Sequence, residues 1–241
     1  MGCLSGFVAS SPRAIPGAWG SDVVTQLRPI GIMGGAFDPI HYGHLRSAYE
    51  LLHGLNLAEV RFIPTARPPH RPGTEADGRL RLRMVQAAIA GTEGFVADER
   101  ELERAGPSYS VTTLASLRAD FPQTPLCMIV GMDAFLGVAD WFQWQTLFEL
   151  AHVVVAKRPG FELPARGEVA DLIAMRATDE LNDLHVRPFG SIYMRAVTQL
   201  EISSTDIRLH LGCGGDGKFL LPDPVRNIIE ETKIYARSET S

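Results

Sequence analysis

The amino-acid sequence predicts one α/β domain built on a doubly wound parallel sheet. Short apolar runs alternate with stretches whose apolar residues recur every three or four positions, which is the pattern of strands separated by helices. Some of these runs have no polar break, and this indicates strands that are buried on both faces, as in a parallel sheet. Because ligands of such folds bind at the carboxyl ends of the strands, we expect the functional residues where strands end and helices begin.

The size and composition of the chain suit a single enzyme domain. Its 241 residues, 45% of them apolar, are enough to bury a full core. We expect the domain to span residues 29–236 and to follow a disordered extension, residues 1–28, that is rich in Gly, Ser, Ala and Pro. The net charge of −5 gives no general attraction to nucleic acid or to anionic membranes.

Cysteine usage and hydropathy bear on the compartment. The 3 cysteines are scattered and lack the spacing of a metal site or a disulfide framework, so a reducing cytoplasm is the expected location. The sequence also lacks an apolar run of the ~18 residues that a membrane span needs. We therefore expect no membrane association, and a homo-oligomer remains possible.

The first predicted strand, Pro29–Met33, is followed by the most informative segment, residues 34–44, which reads GGAFDPIHYGH. Its two glycines predict a tight turn whose backbone N–H groups can face an anion. From about Gly43 the apolar residues recur at helical spacing, which puts His41 and His44 at a helix N-terminus, where phosphate is attracted. The two imidazoles add donors for charge that develops during a reaction.

The remaining elements follow in alternation. The pattern predicts a second strand, a helix, a short third strand and another helix, and then two strands without a polar break. In chain order these are Val60–Pro64, Leu80–Ala90, Phe95–Ala97, Val111–Ala119, Leu126–Val130 and His152–Ala156.

A second motif, residues 202–208, reads ISSTDIR. Ser203 with Asp206 three residues later has the form of a capping box, so a helix should begin here. Arg208 then lies in the first or second turn, where a cation is unfavourable unless an anion lies between it and the helix terminus. Free N–H groups, the guanidinium and three hydroxyls indicate a triphosphate cradle; the hydroxyls are those of Ser203, Ser204 and Thr205.

Five weaker features lie between the two motifs and could select an acceptor. They are a stiff basic loop, a hydroxyl-rich helix start, a carboxylate at a strand end, an aromatic pair suited to stacking on a ring, and a pair of cations at another strand end. In chain order they are Pro68–Pro72, Pro107–Ser110, Gly131–Asp133, Trp141–Phe142 and Lys157–Arg158.

The two motifs resemble the HxGH and ISSTxIR signatures of the nucleotidylyltransferase superfamily. The order of the five features between them is similar to that in bacterial nicotinate-nucleotide adenylyltransferases, over roughly residues 29–236. This resemblance implies a Rossmann-like nucleotidylyltransferase fold with a small C-terminal helical extension. It also implies transfer of AMP from ATP to nicotinate mononucleotide, giving deamido-NAD and pyrophosphate. Mg²⁺ would be carried by the ATP phosphates and would need few protein ligands, of which the sequence identifies none.

The resemblance also implies roles for individual residues. The catalytic residues would be His41, His44 and Arg208. ATP would be bound by Gly34, Gly35, Ala36, Phe37, Gly131, Asp133, Lys157, Arg158, Ile202, Ser203, Ser204 and Thr205. Nicotinate mononucleotide would be bound by His70, Arg71, Ser108, Tyr109, Ser110, Trp141 and Phe142, with Trp141 stacked on the pyridine ring.

Two positions depart from the family pattern, and other functions stay open. Ala36 replaces a common Thr or Ser, which leaves its backbone N–H for phosphate, and Ser110 replaces the commoner Thr. The same chemistry could use nicotinamide mononucleotide or phosphopantetheine, although phosphopantetheine has no ring to stack on the aromatic pair. A nucleotide-binding regulator without catalysis is a further alternative. The missing GxGxxG pattern disfavours an oxidoreductase that uses a finished dinucleotide.

Overall fold

The structure, a computed structural model, describes residues 27–67, 73–157 and 163–236. The expected extension at residues 1–28 falls almost wholly outside these ranges. Three predicted site residues also lie outside the described residues, namely His70, Arg71 and Arg158.

The described residues form a seven-stranded sheet in which every pair of neighbouring strands is parallel. The strand order is β3-β2-β1-β4-β5-β7-β6, so the direction of winding reverses between β1 and β4. That reversal is the topological switch point at which open α/β sheets bind ligands. The strands are β1 (Ile30–Gly35), β2 (Glu59–Pro64), β3 (Phe95–Ala97), β4 (Leu126–Gly131), β5 (His152–Lys157), β6 (Ala177–Thr178) and β7 (Ile192–Ala196).

Helices cover both faces of the sheet, which confirms the predicted doubly wound fold. Successive residues of a strand point to opposite faces, and Met128 of β4 accordingly packs in one buried cluster while Ile129 packs in the other. The helices are α1 (Tyr42–Gly54), α2 (Gly78–Ile89), α3 (Arg100–Glu103), α4 (Ser110–Asp120), α5 (Met132–Leu136), α6 (Trp144–Leu150), α7 (Glu168–Arg176), α8 (Asp183–Val186), α9 (Ser204–Gly212) and α10 (Asp223–Thr232).

The predicted C-terminal helical extension is α10, which packs against α2. It buries Val225, Ile228 and Ile229, and the turn that follows buries Tyr235. Among the described residues, none of the helices has the length and apolar character needed to cross a membrane.

One expectation about local structure was wrong, and two strands were not predicted. The predicted turn at Gly34 and Gly35 is instead the end of β1, and the chain turns just after it, where Phe37 has a φ of 50° and the Asp38–Pro39 peptide bond is cis. The sequence also gave no indication of β6 and β7. Both strands have weak patterns, because β6 has 2 residues and the last residues of β7 are exposed.

Candidate active site

The end of β1 leaves open space beside its backbone. A Cβ atom added to Gly34 would meet nothing within 4 Å, whereas one added to Gly35 would lie 3.0 Å from the ring of Phe37. Phe37 itself is buried, and its ring packs edge-on against the His44 ring with 5.1 Å between centroids. The Phe37 side chain therefore belongs to the core, which leaves only its backbone for the predicted contact with ATP.

His41 and His44 form the N-terminal cap of α1 together. The Gly43 N–H donates to Nδ1 of His41 over 3.1 Å, and the His41 backbone N–H donates to Nδ1 of His44 over 3.3 Å. The two rings lie 3.8 Å apart between centroids and are inclined by 30°. Because each Nδ1 accepts a backbone N–H, each neutral ring carries its hydrogen on Nε2. The pair therefore presents two imidazole N–H donors.

Burial keeps both rings uncharged. It lowers the pKa of His41 to about 4, because the charged form loses its hydration. Burial also lowers the pKa of His44 well below 6.5, and the neighbouring His41 lowers it further. Near pH 7 these imidazoles are therefore neutral, and each can donate one N–H hydrogen bond to a negatively charged group.

Steric contacts explain why the residue at position 43, between the two histidines, is glycine. A Cβ atom at Gly43 would lie 2.9 Å from Nδ1 and Cε1 of His41 and 3.5 Å from the carbonyl oxygen of Ile202. Any side chain would push the His41 ring out of its hydrogen bond. The backbone of Ile202, two residues before α9, thus lies close to the histidine cap.

Two hydrogen bonds join the second motif to the first. The Ser204 hydroxyl donates to the carbonyl oxygen of Pro39 over 2.9 Å. Nη1 of Arg208, which lies in the second turn of α9, donates to the carbonyl oxygen of Asp38 over 2.8 Å. The structure therefore brings the N-terminus of α9 beside the N-terminus of α1.

The hydroxyls of α9 are used differently from the expectation. Ser203 caps the helix as predicted, since it accepts the Asp206 N–H over 3.1 Å. Its own hydrogen, however, goes to Oδ2 of Asp206 over 2.6 Å. Since the Ser204 hydroxyl donates to Pro39, two of the three hydroxyls stabilise the loop and the helix start rather than facing a phosphate. Thr205 is exposed and keeps its hydroxyl at the surface.

A buried carboxylate that the sequence analysis missed anchors this loop. Asp38 is 3% exposed, and it accepts the N–H groups of Glu75 and Ala76 over 2.8 and 3.1 Å and the Tyr235 hydroxyl over 2.7 Å. Burial and this bond to Asp38 raise the pKa of Tyr235, so the phenol stays a donor. The position of Asp38 in the sequence, between the two glycines and the two histidines of the first motif, could have indicated that it has a role at the site.

Arg81 of α2 is a second residue that the sequence did not reveal. Its side chain is buried, and its guanidinium donates to the carbonyl oxygens of Ala76, Ala36 and Thr65 over 3.1, 2.7 and 2.8 Å. Burial lowers the pKa of Arg81, and the nearby Asp38 opposes that shift. The guanidinium thereby ties the segment after β1 to the segment after β2.

Tyr109 and Phe142 form an aromatic contact between the two segments that were predicted to bind the acceptor. The rings of Tyr109 and Phe142 stack with 4.4 Å between centroids and 30° between planes, and Phe142 is exposed. Trp141 is partly buried and packs against the core on that face. The two segments predicted to bind the acceptor, Pro107–Ser110 and Trp141–Phe142, are therefore in contact with each other. Within the second segment, the Phe142 ring is more exposed than the Trp141 ring.

The hydroxyl-rich segment also begins a helix, as predicted. Ser110 is the first residue of α4, so its N–H lies at a helix N-terminus. The Ser108 hydroxyl accepts the N–H groups of Ala66 and Arg67, each over 3.1 Å, and thus holds the chain just after β2.

The ends of β4 and β5 lie side by side. Gly131 pairs with Ala156, which puts Lys157 next to the first turn of α5, where the exposed Asp133 lies. A Cβ atom at Gly131 would meet nothing within 4 Å. Within residues 27–67, 73–157 and 163–236, three or more His, Cys, Asp or Glu side chains do not come together as a metal site.

Comparison with known proteins is consistent with this geometry. The model of the cytidylyltransferase-like family matches residues 32–210. A protein of Methylococcus capsulatus named "probable nicotinate-nucleotide adenylyltransferase" is 47% identical over 86% of this chain and 100% of its own length. Proteins of the same name from Aeromonas hydrophila and Halorhodospira halophila are 45% and 46% identical, over 86% and 87% of this chain and 97% and 96% of their own lengths.

Solved structures share the fold. The nicotinic acid mononucleotide adenylyltransferase of Plasmodium falciparum, complexed with NaAD, has a TM-score of 0.63 and 16% identity over 86% of this chain and 97% of its own. The same Plasmodium protein complexed with APC has a TM-score of 0.64 and 17% identity, with the same coverage of 86% and 97%.

Proposed function

This chain belongs to the nicotinate-nucleotide adenylyltransferase family, and we propose on that premise how its residues carry out the transfer of AMP from ATP to nicotinate mononucleotide. The products are deamido-NAD and pyrophosphate, which makes the reaction a step of NAD biosynthesis. The acceptor attacks through a phosphate that is already an anion at neutral pH. The reaction therefore needs no general base, and catalysis consists of positioning and charge stabilisation.

His41 and His44 stabilise the α-phosphate as it is transferred. Negative charge builds on the oxygens of this phosphate and on the bridging oxygen that leaves with pyrophosphate. The two neutral Nε2–H groups are fixed by the backbone hydrogen bonds at their Nδ1 atoms. They can therefore donate hydrogen bonds to these oxygens without reorganisation. The backbone of residues 34–37 lies next to them and supplies further donors.

The start of α9 holds the departing pyrophosphate. Backbone N–H groups at Ser204 and Thr205, the dipole of the helix and the guanidinium of Arg208 all favour an anion there. The bonds from Ser204 and Arg208 to the loop after β1 support this assignment, because they fix the distance between the donors of the two phosphate sites.

The two nucleosides bind at the ends of β4 and β5 and at the helix starts beside them. Gly131, Asp133 and Lys157 form the adenosine side, with open space beside Gly131 for the ribose. The helix start at Ser110 and the aromatic segment at Trp141 and Phe142 form the nicotinate side, where N–H groups meet the carboxylate. The proposed contacts of His70, Arg71 and Arg158 remain predictions.

Mg²⁺ enters with the ATP phosphates. The donors beside the histidines are imidazole and amide N–H groups, and the Asp38 carboxylate is already taken by three donors. Such a set suits phosphate oxygens rather than a bare cation. Mg²⁺ commonly keeps several waters and binds through substrate phosphates, so it supplies charge neutralisation there without dedicated protein ligands.

The observation that carries this proposal is the direct bonding of the α9 start to the loop that leads into the histidine pair. Its test is pyrophosphate release by the purified protein with ATP, Mg²⁺ and one acceptor at a time. We expect the highest kcat/KM with nicotinate mononucleotide. A higher value with nicotinamide mononucleotide or phosphopantetheine would refute the acceptor, and absence of release with all three would refute the activity.

A further inference from the structure

Arg208 has an anionic partner on the surface of the protein. Its Nε donates to Oε1 of Glu75 over 2.9 Å. The side chain of Glu75 is 54% exposed, whereas that of Arg208 is 22% exposed. The pair thus joins a well-packed guanidinium to a carboxylate that reaches it from the surface.

We propose that Glu75 is an internal competitor of ATP. The Glu75 carboxylate occupies the face of Arg208 that the triphosphate takes, and it must be displaced when ATP binds. The inference rests on the proposed role of Arg208 as a pyrophosphate contact. It adds a residue that limits ATP affinity and keeps the guanidinium paired and oriented between turnovers.

The surrounding contacts allow this exchange to occur with little movement. The backbone of Glu75 is fixed, because its N–H donates to Oδ2 of Asp38 over 2.8 Å and the next N–H donates to Oδ1 over 3.1 Å. Arg208 is fixed by its bond to the Asp38 carbonyl oxygen. Rotation of the Glu75 side chain alone therefore releases the guanidinium, while the loop and the arginine stay in place.

Arg208 should interact more strongly with a triphosphate than with Glu75, which favours displacement of the Glu75 carboxylate by ATP. An ion pair with a half-exposed carboxylate is weak, since water and salt screen it. A triphosphate brings several negative charges and more acceptor oxygens, and Arg binds such groups through two parallel hydrogen bonds. ATP can therefore replace Glu75, but it binds less tightly than it would to an Arg208 that lacked this partner and kept only its contacts with Asp38.

The test is the affinity of the Glu75→Gln variant for the Mg²⁺ complex of α,β-methylene-ATP, measured by titration calorimetry. Glutamine keeps the length and one oxygen but removes the charge. We expect the Kd to fall about two- to fivefold, which corresponds to the usual worth of an exposed ion pair. The gain should shrink at high salt. An unchanged or weaker affinity would overturn the proposal, because a merely structural Glu75 would weaken binding when altered.

Two controls separate competition from a general charge effect. Glu231→Gln changes the net charge equally and breaks a comparable exposed pair with Arg83, at 2.6 Å, so it should leave the Kd unchanged. In an Arg208→Ala background, Glu75→Gln should no longer tighten binding. A tightening that persists there, or that Glu231→Gln reproduces, would contradict competition at Arg208.

The same measurements distinguish failure of the inference from failure of the proposed function. If Arg208→Ala weakens binding while Glu75→Gln has no effect, Arg208 contacts ATP and the competitor role is wrong. If Arg208→Ala leaves the Kd unchanged, the proposed pyrophosphate contact is wrong and the competitor role is wrong with it.

Discussion

At the scale of single residues, the histidine pair replaces the residues that usually cap a helix. A capping box normally pairs a Ser or Thr with a Glu or Gln. Here His41 accepts the Gly43 N–H, and His44 accepts the His41 N–H. The hydrogen bonds that begin α1 thereby also set the orientation and tautomer of both rings, before any substrate is present.

The tautomer gives a substitution test. Asn resembles His at Nδ1, and Gln resembles it at Nε2, so His44→Asn should keep the cap and lose the donor, whereas His44→Gln should keep the donor. We expect His44→Asn to lower kcat about 10²- to 10³-fold, the usual effect of removing one such donor. The Gln variant should lose less. Steady-state pyrophosphate release measures both, and the far-UV circular dichroism of each variant checks that it folds.

Equal losses in the Asn and Gln variants would contradict the assignment of the hydrogen to Nε2. Near-normal turnover in His44→Asn would remove this histidine from the mechanism.

The lowered pKa of His41 predicts how stability depends on pH. An unfolded chain protonates this histidine below about pH 6.5, but the folded protein does so only near pH 4, so the unfolded state binds more protons in that window. Stability should therefore fall as the pH falls from 6.5 towards 4. From pH 7.5 to 5 we expect the wild type to lose roughly 1–2 kcal/mol more than His41→Asn does. Urea unfolding at both pH values measures this difference, and parallel losses would contradict it.

At the scale of the elements, the sequence predicted what local patterns determine. The five strands with unbroken or clearly bounded apolar runs were predicted within two residues of their observed ends, and both motif helices begin where caps and glycines indicated. The strands β6 and β7 were missed, because pairing within the sheet forms them rather than a strong local pattern. The end of β1 was misjudged for a related reason, since Gly34 and Gly35 still pair with β2.

Arg81 is the strongest link between elements near the site, and its loss has a predictable effect. Lysine has one ammonium group and cannot reach three carbonyl oxygens in different directions. We expect Arg81→Lys to lower the unfolding free energy by about 2–4 kcal/mol, because buried carbonyl groups lose their donors. Thermal and urea unfolding measure it.

The matched control is Arg83→Lys on the same helix. Arg83 is exposed and pairs with Glu231 at the surface, so this substitution should change stability little. Similar effects of the two substitutions would show that the hydrogen bonds of Arg81 do not stabilise the fold.

At the scale of the whole molecule, the site depends on contacts between distant parts of the chain. The sequence identified the two motifs, and the fold brings them together through Ser204 and Arg208. It did not identify Glu75, Arg81 or Tyr235, because their roles arise from partners that are far away in sequence. Nor could it indicate that the Ser204 hydroxyl donates to the carbonyl oxygen of Pro39, since that depends on the folded geometry.

Tyr235 provides a test of this long-range dependence. Tyr235→Phe removes the hydroxyl that donates to Asp38 over 2.7 Å. A hydrogen bond to a charged group contributes about 1.5–3 kcal/mol, so we expect a loss of that order in the unfolding free energy. Urea unfolding measures it. Tyr193→Phe, which alters another buried tyrosine away from Asp38, is the control, and equal losses in the two variants would contradict a specific role for the bond to Asp38.

The bond between Asp38 and Tyr235 spans 197 residues, and this has a consequence for protein synthesis. The segment that carries the histidines is synthesised well before the tyrosine that anchors its aspartate. A nascent chain can therefore assemble most of the sheet while its active-site loop still lacks an anchor. The completed loop forms once translation has passed Tyr235, so partial chains that stop before this residue should lack an anchored active-site loop.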